Sequence, residues 1–206
     1  MRIITVSREF GSGGRELGKR LADALNISYY DREIITAVAE RTNLDEKYVE
    51  IALDQSVLSQ IPISYSRTFS LLPDLVNSPA ALLAQQHKAI EELAARGDCV
   101  IVGRNAETIL KDFHPLKLFV YADKESKIER CLQRETKKEN LSVHEIEKMM
   151  KQIDKARATN HDILSSFAWG DKREYHLCIN TSGIEIKTLI PSIASYAGNW
   201  FVQMQK

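Results

Sequence analysis

A glycine-rich segment near the start of the chain carries the residues best suited to bind an anion. The apolar run at residues 3–6 (IITV) is followed by residues 7–15 (SREFGSGGR) and then by a helical pattern. Glycines let the backbone turn tightly with its N–H groups pointing inward, and the following helix adds unpaired N–H groups and a positive dipole end. This order predicts a pocket for phosphate, with a simple reversal of the chain as the alternative.

The residue types of this loop depart from the usual phosphate-binding pattern G-x-x-x-x-G-K-[ST]. When its second glycine is aligned with Gly13, Arg8 stands where the first glycine belongs and Gly14 where the lysine belongs. Arg15 then replaces the hydroxyl residue that binds magnesium, so the sequence does not identify the metal ligands. We expect Arg15 to supply the missing cation because it adjoins the lysine position, and Arg8 and Lys19 are further candidates.

The composition is that of a globular chain. Its 206 residues are 44% hydrophobic and 27% charged, which permits a full core and suits one domain. Basic and acidic residues number 28 each, so no overall basic field is available to hold a nucleic-acid polymer. No apolar span of membrane-crossing length and no secretory leader pattern are found, and three widely spaced cysteines predict neither disulfides nor a zinc site. We therefore expect a cytoplasmic protein with no membrane partner.

Apolar runs and amphipathic stretches alternate along the chain. Strands are expected at 2–6, 27–30, 99–103, 116–121 and 176–180. Helices are expected at 15–25, 32–41, 45–53, 78–96, 123–136 and 142–160, and in the tail from 184. Ser142 and Glu145 form a capping box, and Pro191 is expected to kink or break the last helix. This order predicts an α/β fold, with a five-stranded parallel sheet between two helical layers.

Polar residues follow several of the predicted strands. Ligands bind at the carboxyl ends of parallel strands, which meet at one edge of the sheet. That edge gathers the glycine-rich loop, residues 30–32 (YDR), residues 103–105 (GRN) and Asp123. Four polar sites from distant parts of the chain therefore converge, which is better evidence for a binding site than any one of them.

Several of these side chains also have a structural interpretation. Asp31, Asn105 and Asp123 each stand before a predicted helix and could serve as N-caps, and for Asp123 we expect that role. Arg104 directly follows a buried strand, where an unpaired charge is costly, so a bound ligand is the favoured explanation.

Two groups of motifs resemble a known family. Residues 102–108 (VGRNAET) and 115–120 (PLKLFV) resemble the G-R-D-x-x-T and P-L-K-[IL]-[FY] segments of bacterial cytidylate kinases. The segments SREFGSGGRE, YYDRE and DKAR are together similar to the cytidylate-kinase-like family, which has the nucleoside-monophosphate kinase fold with an altered phosphate loop. The resemblance covers about residues 2–183 and implies a P-loop-type fold, with a helical acceptor-binding insertion at 44–95, where the likeness is weak, and a lid at 134–160.

The resemblance implies transfer of the γ-phosphoryl group of ATP, with Mg²⁺, to a nucleoside monophosphate similar to cytidylate or to a related small molecule. The residues that would cradle the donor phosphates are Gly11, Ser12, Gly13, Gly14 and Arg15. The residues that would bind the acceptor are Asp31, Arg104 and Asn105. Asn105 replaces the aspartate of the family pattern, so an amide stands where a carboxylate would contact the acceptor. Ser12 or water could take the place of the missing magnesium-binding hydroxyl.

Further cations lie on predicted helices. Arg130 and Arg134 share a helix face at i,i+4 and could reach the donor phosphates. Lys155 and Arg157 fall near the lid region of the family and would, with Arg15, be the catalytic residues. For both pairs, display on a solvated surface is the alternative.

Two other functions stay open. A nucleotide-binding regulatory module with degraded catalysis would explain the absent lysine. A kinase for a non-nucleotide acceptor would explain Asn105 and the unfamiliar segment at 44–95. The sequence does not predict the oligomeric state.

Overall fold

Five parallel strands form one sheet in the part of the chain that the structure, a computed structural model, describes: residues 1–54, 79–134 and 141–204. The strands are β1 (Ile3–Arg8), β2 (Ser28–Tyr30), β3 (Cys99–Val102), β4 (Leu116–Tyr121) and β5 (Leu177–Asn180). They lie in the order β2-β3-β1-β4-β5, and every neighbouring pair is parallel. The first strand is therefore central, and the loop after it opens at the middle of the carboxyl edge.

Helices connect these strands and cover both faces of the sheet. They are α1 (Gly14–Leu25), α2 (Arg32–Thr42), α3 (Glu46–Asp54), α4 (Pro79–Ala95), α5 (Ala106–Ile109), α6 (Lys124–Arg134), α7 (Val143–Asp162) and α8 (Ile186–Met204). A short 3-10 helix at Lys111–Phe113 follows α5. Helices α1 and α8 contact each other, and so do α2 and α4.

The apolar residues of β1 alternate between two cores. Ile4 and Val6 are fully buried in a core that includes residues of α1 and α8. Ile3 is buried in a second core, which includes residues of α2, α4 and α5. Because successive strand residues point to opposite faces, these two cores lie on opposite sides of the sheet. The predicted three-layer α/β/α fold is confirmed.

The central strand is longer than its apolar run predicts. Ser7 and Arg8 continue the parallel pairing with Phe119 and Val120 of β4, so β1 ends two residues beyond the predicted end at residue 6. The consequence is that Arg8 is the last residue of the central strand, directly at the predicted binding edge.

The helix signals were mostly reliable. The capping box of Ser142 and Glu145 is present at the start of α7. Pro191 was expected to kink or break the last helix; it lies inside α8, which begins at Ile186 and continues past the proline, so the helix is not broken there. No helix in the three described ranges is long and apolar enough to cross a membrane.

Candidate phosphate-binding site

The loop between β1 and α1 has the backbone shape that its glycines predict. Gly11 and Gly13 have φ angles of 76° and 82°, in the left-handed region that favours glycine. A Cβ on Gly13 would lie 2.6 Å from Cδ1 of Ile186, so the loop is also packed too closely for a side chain there. Gly13 is the N-cap of α1 and has no side-chain oxygen to bind the first N–H groups of the helix, which leaves them for an anion.

Side chains from neighbouring elements hold the loop in place. The Phe10 N–H donates to Oδ1 of Asp154 on α7 (2.7 Å). Thr181 Oγ1 donates to the Ser12 carbonyl (2.8 Å), and the Ser12 hydroxyl donates to the Glu9 carbonyl (2.8 Å). Ser12 is fully buried, so its hydroxyl takes part in the loop's own hydrogen bonding. These contacts preorganise the loop for an anion.

Arg8 lies at the centre of a group of charged side chains. Its side chain is 13% exposed, and its Nη2 lies 3.9 Å from Oδ1 of Asp31. Arg157 Nη1 donates to the Arg8 carbonyl (3.0 Å). Burial, and then the positive charge of Arg157, lower the pKa of Arg8 to about 9, and Arg104 and Arg15 act in the same direction. A bound anion would stabilise the charged form of Arg8.

Asp31 binds arginines instead of capping a helix. Its Oδ2 lies 2.6 Å from Arg15 Nε, and its side chain is 10% exposed. It makes no side-chain capping bond to α2, while its own N–H donates to Glu33 Oε2 (2.9 Å). Asp31 therefore stands at the N-cap position of α2, but its side chain does not cap the helix. Arg15, which we expected beside the donor phosphates, is held against the predicted acceptor residue.

Arg104 and Asn105 have unusual backbone conformations at the end of β3. Their φ angles are 59° and 56°, which is uncommon for residues other than glycine and occurs often at functional sites. The Asn105 side chain makes no capping bond to α5; its Nδ2 donates to the Asn160 carbonyl of α7 (3.0 Å). Asn105 stands at the N-cap position of α5, as the alternative interpretation had it, but its side chain does not cap the helix and joins the end of β3 to α7 instead.

A cavity of about 90 Å³ lies where these residues meet. The arginines that line it come from four places in the fold, namely Arg8, Arg15, Arg104 and Arg157. Glu50 is a lining carboxylate, and Asp31 and Asp154 are bonded to arginines of this group. The apolar part of the wall consists of Leu53, Leu83 and Trp169. A cavity with several guanidinium groups beside apolar walls suits a phosphate joined to a less polar body.

The other predicted cations lie elsewhere. Lys155 is exposed on α7 and does not line the cavity. Lys19 pairs with Asp23 on the exposed face of α1 (2.8 Å). Asp123 accepts from the Ser126 N–H (2.7 Å), a bond that lowers the pKa of its carboxyl and confirms the expected cap.

Arg130 contacts the segment between β5 and α8. Its Nη1 donates to Thr181 Oγ1 (3.3 Å) and its Nη2 to the carbonyls of Thr181 and Ile184. It also lines an open groove of about 520 Å³ beside the first turns of α1. The side chain of Arg134 lies outside the part of the chain that the structure describes.

Sequence reasoning missed several residues of the site. Asn160 and Gln86 line the cavity, as does Trp169, and none of them belongs to a recognised motif. Asp154 could have been predicted, because an acidic residue three positions before Arg157 on the same helix can pair with it. In the structure the two side chains are paired at 3.4 Å. Within the described ranges, no group of three or more His, Cys, Asp or Glu residues could hold a metal ion.

Comparison with known proteins places the chain in a family. The model of the cytidylate kinase-like family matches residues 3–183, and the chain belongs to that family. No curated protein sequence gives a significant match. An uncharacterized protein from Eubacterium ventriosum, of known crystal structure, is 27% identical over 96% of this chain and 99% of its own, with a TM-score of 0.67.

Two shikimate kinases are similar in structure. The enzyme from Bacteroides thetaiotaomicron is 12% identical, with a TM-score of 0.57 over 95% of this chain and 97% of its own. The enzyme from Acinetobacter baumannii, solved in complex with shikimate, is 14% identical, with a TM-score of 0.51 over 94% and 90%. The fold is that of the P-loop kinases, and the family supports a nucleotide-dependent, kinase-type function.

Proposed function

We propose that this member of the cytidylate kinase-like family transfers the γ-phosphoryl group of ATP to a nucleoside monophosphate similar to cytidylate. One observation carries the proposal: four arginines from separate elements surround a cavity next to the glycine-rich loop. Asp31 and Asp154 offset part of this positive charge, and phosphoryl transfer depends on cations that stabilise charge on the moving group.

The loop would bind the donor. The backbone N–H groups of Gly11, Ser12, Gly13 and Gly14 would cradle the ATP phosphates at the positive end of α1. The groove lined by Arg130 lies beside the same helix and would hold the rest of the nucleotide. Arg134, one turn further along α6, is proposed as a second donor contact.

The arginine-lined cavity would bind the acceptor. Arg104 and Arg157 offer planar groups that can bind a phosphate with two parallel hydrogen bonds. Asp31 and the Asn105 amide would contact the sugar or the base. Since an amide can both donate and accept, Asn105 favours a different base contact from the carboxylate of the family pattern.

The reaction needs little covalent work from the protein. The bond from the γ-phosphorus to the oxygen that bridges it to the β-phosphate breaks, an acceptor phosphate oxygen forms the new bond, and ADP leaves with the bridging oxygen. That acceptor oxygen is largely ionised at neutral pH, so no side chain has to remove a proton. Arg15, Lys155 and Arg157 are the proposed catalytic cations, and Lys155 lies exposed on α7 two residues before Arg157.

Mg²⁺, when bound, would neutralise charge on the β- and γ-phosphates. The described part of the chain offers no cluster of metal-binding side chains. Phosphate oxygens and water would therefore supply most of the ligands, which is the usual arrangement for this ion.

The chain would act as one domain of residues 1–206 with two functional segments. Residues 44–95 would form the acceptor-binding insertion, because Glu50 of α3 and Gln86 of α4 both line the cavity. Residues 134–160 would form the lid, because α7 contributes Arg157 and Asn160. A cytoplasmic location, where ATP is abundant, would suit this function.

A phosphoryl-transfer screen tests the proposal. The protein would be incubated with radiolabelled ATP, Mg²⁺ and a panel of nucleoside monophosphates and small hydroxyl compounds. We expect transfer to a cytidine monophosphate, loss of transfer in Arg104→Met and normal transfer in Arg96→Met, because Arg96 is exposed at the end of α4. Absence of transfer above the no-protein blank for every acceptor would contradict the proposal.

A nucleotide-binding regulatory module is the second candidate, and one contact favours it. Arg15, the expected replacement for the lysine, is paired with Asp31 at 2.6 Å. Calorimetry separates the two functions: micromolar binding of ATP with Mg²⁺, together with no turnover for any acceptor, would favour the regulatory module.

A further inference from the structure

Two departures of the loop from the standard pattern lie in contact with each other. In G-x-x-x-x-G-K-[ST], the first position is a glycine and the seventh is the lysine that binds the phosphate chain. This chain has an arginine, Arg8, at the first position and a glycine, Gly14, at the seventh. The loop has therefore lost one cation and gained another.

Arg8 and a side chain at position 14 would occupy the same space. A Cβ on Gly14 would lie 2.5 Å from Cβ of Arg8, 2.9 Å from its Cγ and 3.3 Å from Cβ of Val120. The clash involves the part of Arg8 next to the backbone, so rotation of a flexible end cannot relieve it. Glycine at 14 is therefore required when position 8 carries a side chain, as Arg8 does.

The far end of Arg8 lies in the arginine-lined cavity. Its Nη1 would be 1.5 Å from a Cβ on Gly103, so a side chain at 103 would displace the guanidinium, and the φ angle of 74° also favours glycine there. Gly103 follows β3, and its N–H donates to the Val6 carbonyl of β1 (3.0 Å). The guanidinium thus reaches from the end of the central strand to the end of its neighbour, beside both the loop and Arg104.

We propose that Arg8 replaces the missing lysine as the cation that binds the phosphate chain between the donor and acceptor sites. This inference rests on the proposed function and identifies the residue that compensates for the altered loop. Arg8 is better placed for this role than Arg15, because its side chain is nearly buried and contacts position 14. Arg8 is also less tightly bound to Asp31. The distance from the arginine nitrogen to the carboxylate is 3.9 Å for Arg8 and 2.6 Å for Arg15.

Four variants test whether the cation at position 8 replaces the lysine at position 14. They are Arg8→Met, Arg8→Gly, Gly14→Lys, and the double variant Arg8→Gly with Gly14→Lys. The affinity for a non-hydrolysable ATP analogue with Mg²⁺ would be measured by calorimetry and the midpoint of thermal unfolding by calorimetric scanning. Arg96→Met is the matched control, because it removes an arginine from an exposed position remote from the loop.

We expect Arg8→Met to fold and to bind the analogue about tenfold to a hundredfold more weakly, which is the usual effect of losing a charge-assisted contact. Gly14→Lys alone should lower the unfolding midpoint because of the clash. The double variant should recover that midpoint and bind the analogue more tightly than Arg8→Gly does.

Three results separate the ideas under test. Unchanged analogue binding in Arg8→Met would overturn the inference and show that Arg8 only fills space, while the proposed function would stand. If the changes in unfolding midpoint of Arg8→Gly and Gly14→Lys simply add in the double variant, residues 8 and 14 do not compete for the same space, and that part of the inference would be overturned. Absence of analogue binding by the unmodified protein would overturn the proposed function itself, whatever the variants do.

Discussion

The carboxylate of Asp31 lies 2.6 Å from Nε of Arg15, and this ion pair joins the end of β2 to the first turn of α1. Asp31 is nearly buried, whereas the Arg15 side chain is 59% exposed. The pair links a residue of the predicted acceptor site to a residue of the predicted donor site. Asp31 therefore competes with a bound anion for the arginines around the cavity.

Replacing Asp31 with asparagine should affect the binding of a simple anion and of a nucleotide acceptor differently. Loss of the negative charge leaves Arg8 and Arg15 without this counter-charge, so inorganic sulfate should bind several-fold more tightly. The affinity for a nucleoside monophosphate should rise less than the affinity for sulfate, or should fall, because the sugar or base loses its contact with the carboxylate. Calorimetric titrations with both ligands measure the difference, and Asp23→Asn on the exposed face of α1 is the control. Equal changes for both ligands would show that Asp31 does not contact the acceptor.

Replacing Arg157 with methionine should weaken acceptor binding about tenfold or more, because a charge-assisted contact to phosphate is lost. The variant also loses the bond from Nη1 to the Arg8 carbonyl (3.0 Å), so a lower unfolding midpoint is expected. Lys151→Met, at an exposed position on the same helix, should change neither quantity. Acceptor titrations in the absence of ATP provide the measurement, and an unchanged dissociation constant for Arg157→Met would contradict its proposed role.

Restoring the aspartate of the family pattern at position 105 should carry a cost in stability. The Asn105 Nδ2 donates to the Asn160 carbonyl (3.0 Å), and a carboxylate cannot make that bond. Asn105→Asp should therefore lower the free energy of unfolding by about 1–3 kcal/mol, measured by urea denaturation. If position 105 contacts the base, the same variant should change the ratio of affinities for cytidine and uridine monophosphates. A ratio that stays constant would show that residue 105 does not contact the base.

The ion pair at the opposite end of β1 predicts a pH dependence of stability. Asp98 accepts from the Arg2 N–H and from Arg2 Nε, both at 2.6 Å, and the backbone bond is the main cause of its lowered pKa. A carboxyl whose pKa is lower in the folded state stabilises the fold above its unfolded pKa, here 3.8, and loses this effect as the pH falls through the folded pKa. The stability difference between the unmodified protein and Asp98→Asn should thus be constant above about pH 5 and become smaller as the pH falls below 3.8 toward the folded pKa. Urea denaturation at a series of pH values tests this, and a difference that is the same at pH 2 as at pH 6 would contradict it.

The sequence predicted the scaffold well because its signals are local. Continuous apolar runs such as residues 99–102 can be buried on both faces of a sheet, and the capping box at Ser142 needs neighbours three residues apart. The end of β1 was missed because Arg8 is not apolar; its pairing with Val120 depends on a strand more than a hundred residues away.

The site was predicted as a group of segments and not as a set of contacts. Asp31 and Arg104 were placed at the correct edge of the sheet, since strand order alone brings them there. The partner of Arg15 could not be predicted, because the choice between a phosphate and Asp31 depends on side-chain geometry. Trp169 lies in a segment without periodic pattern, so no sequence signal indicated that it lines the cavity.

The central claim is that the amides of residues 11–15, supported by Arg8, bind the phosphate chain of a nucleotide. Nuclear magnetic resonance of the ¹⁵N-labelled protein, titrated with a non-hydrolysable ATP analogue and Mg²⁺, tests it most directly. We expect saturable shifts of the backbone amide signals of residues 11–15 and of the Arg8 Nε–H signal. Unchanged signals for all of these groups at millimolar analogue would show that the loop does not bind the phosphate chain.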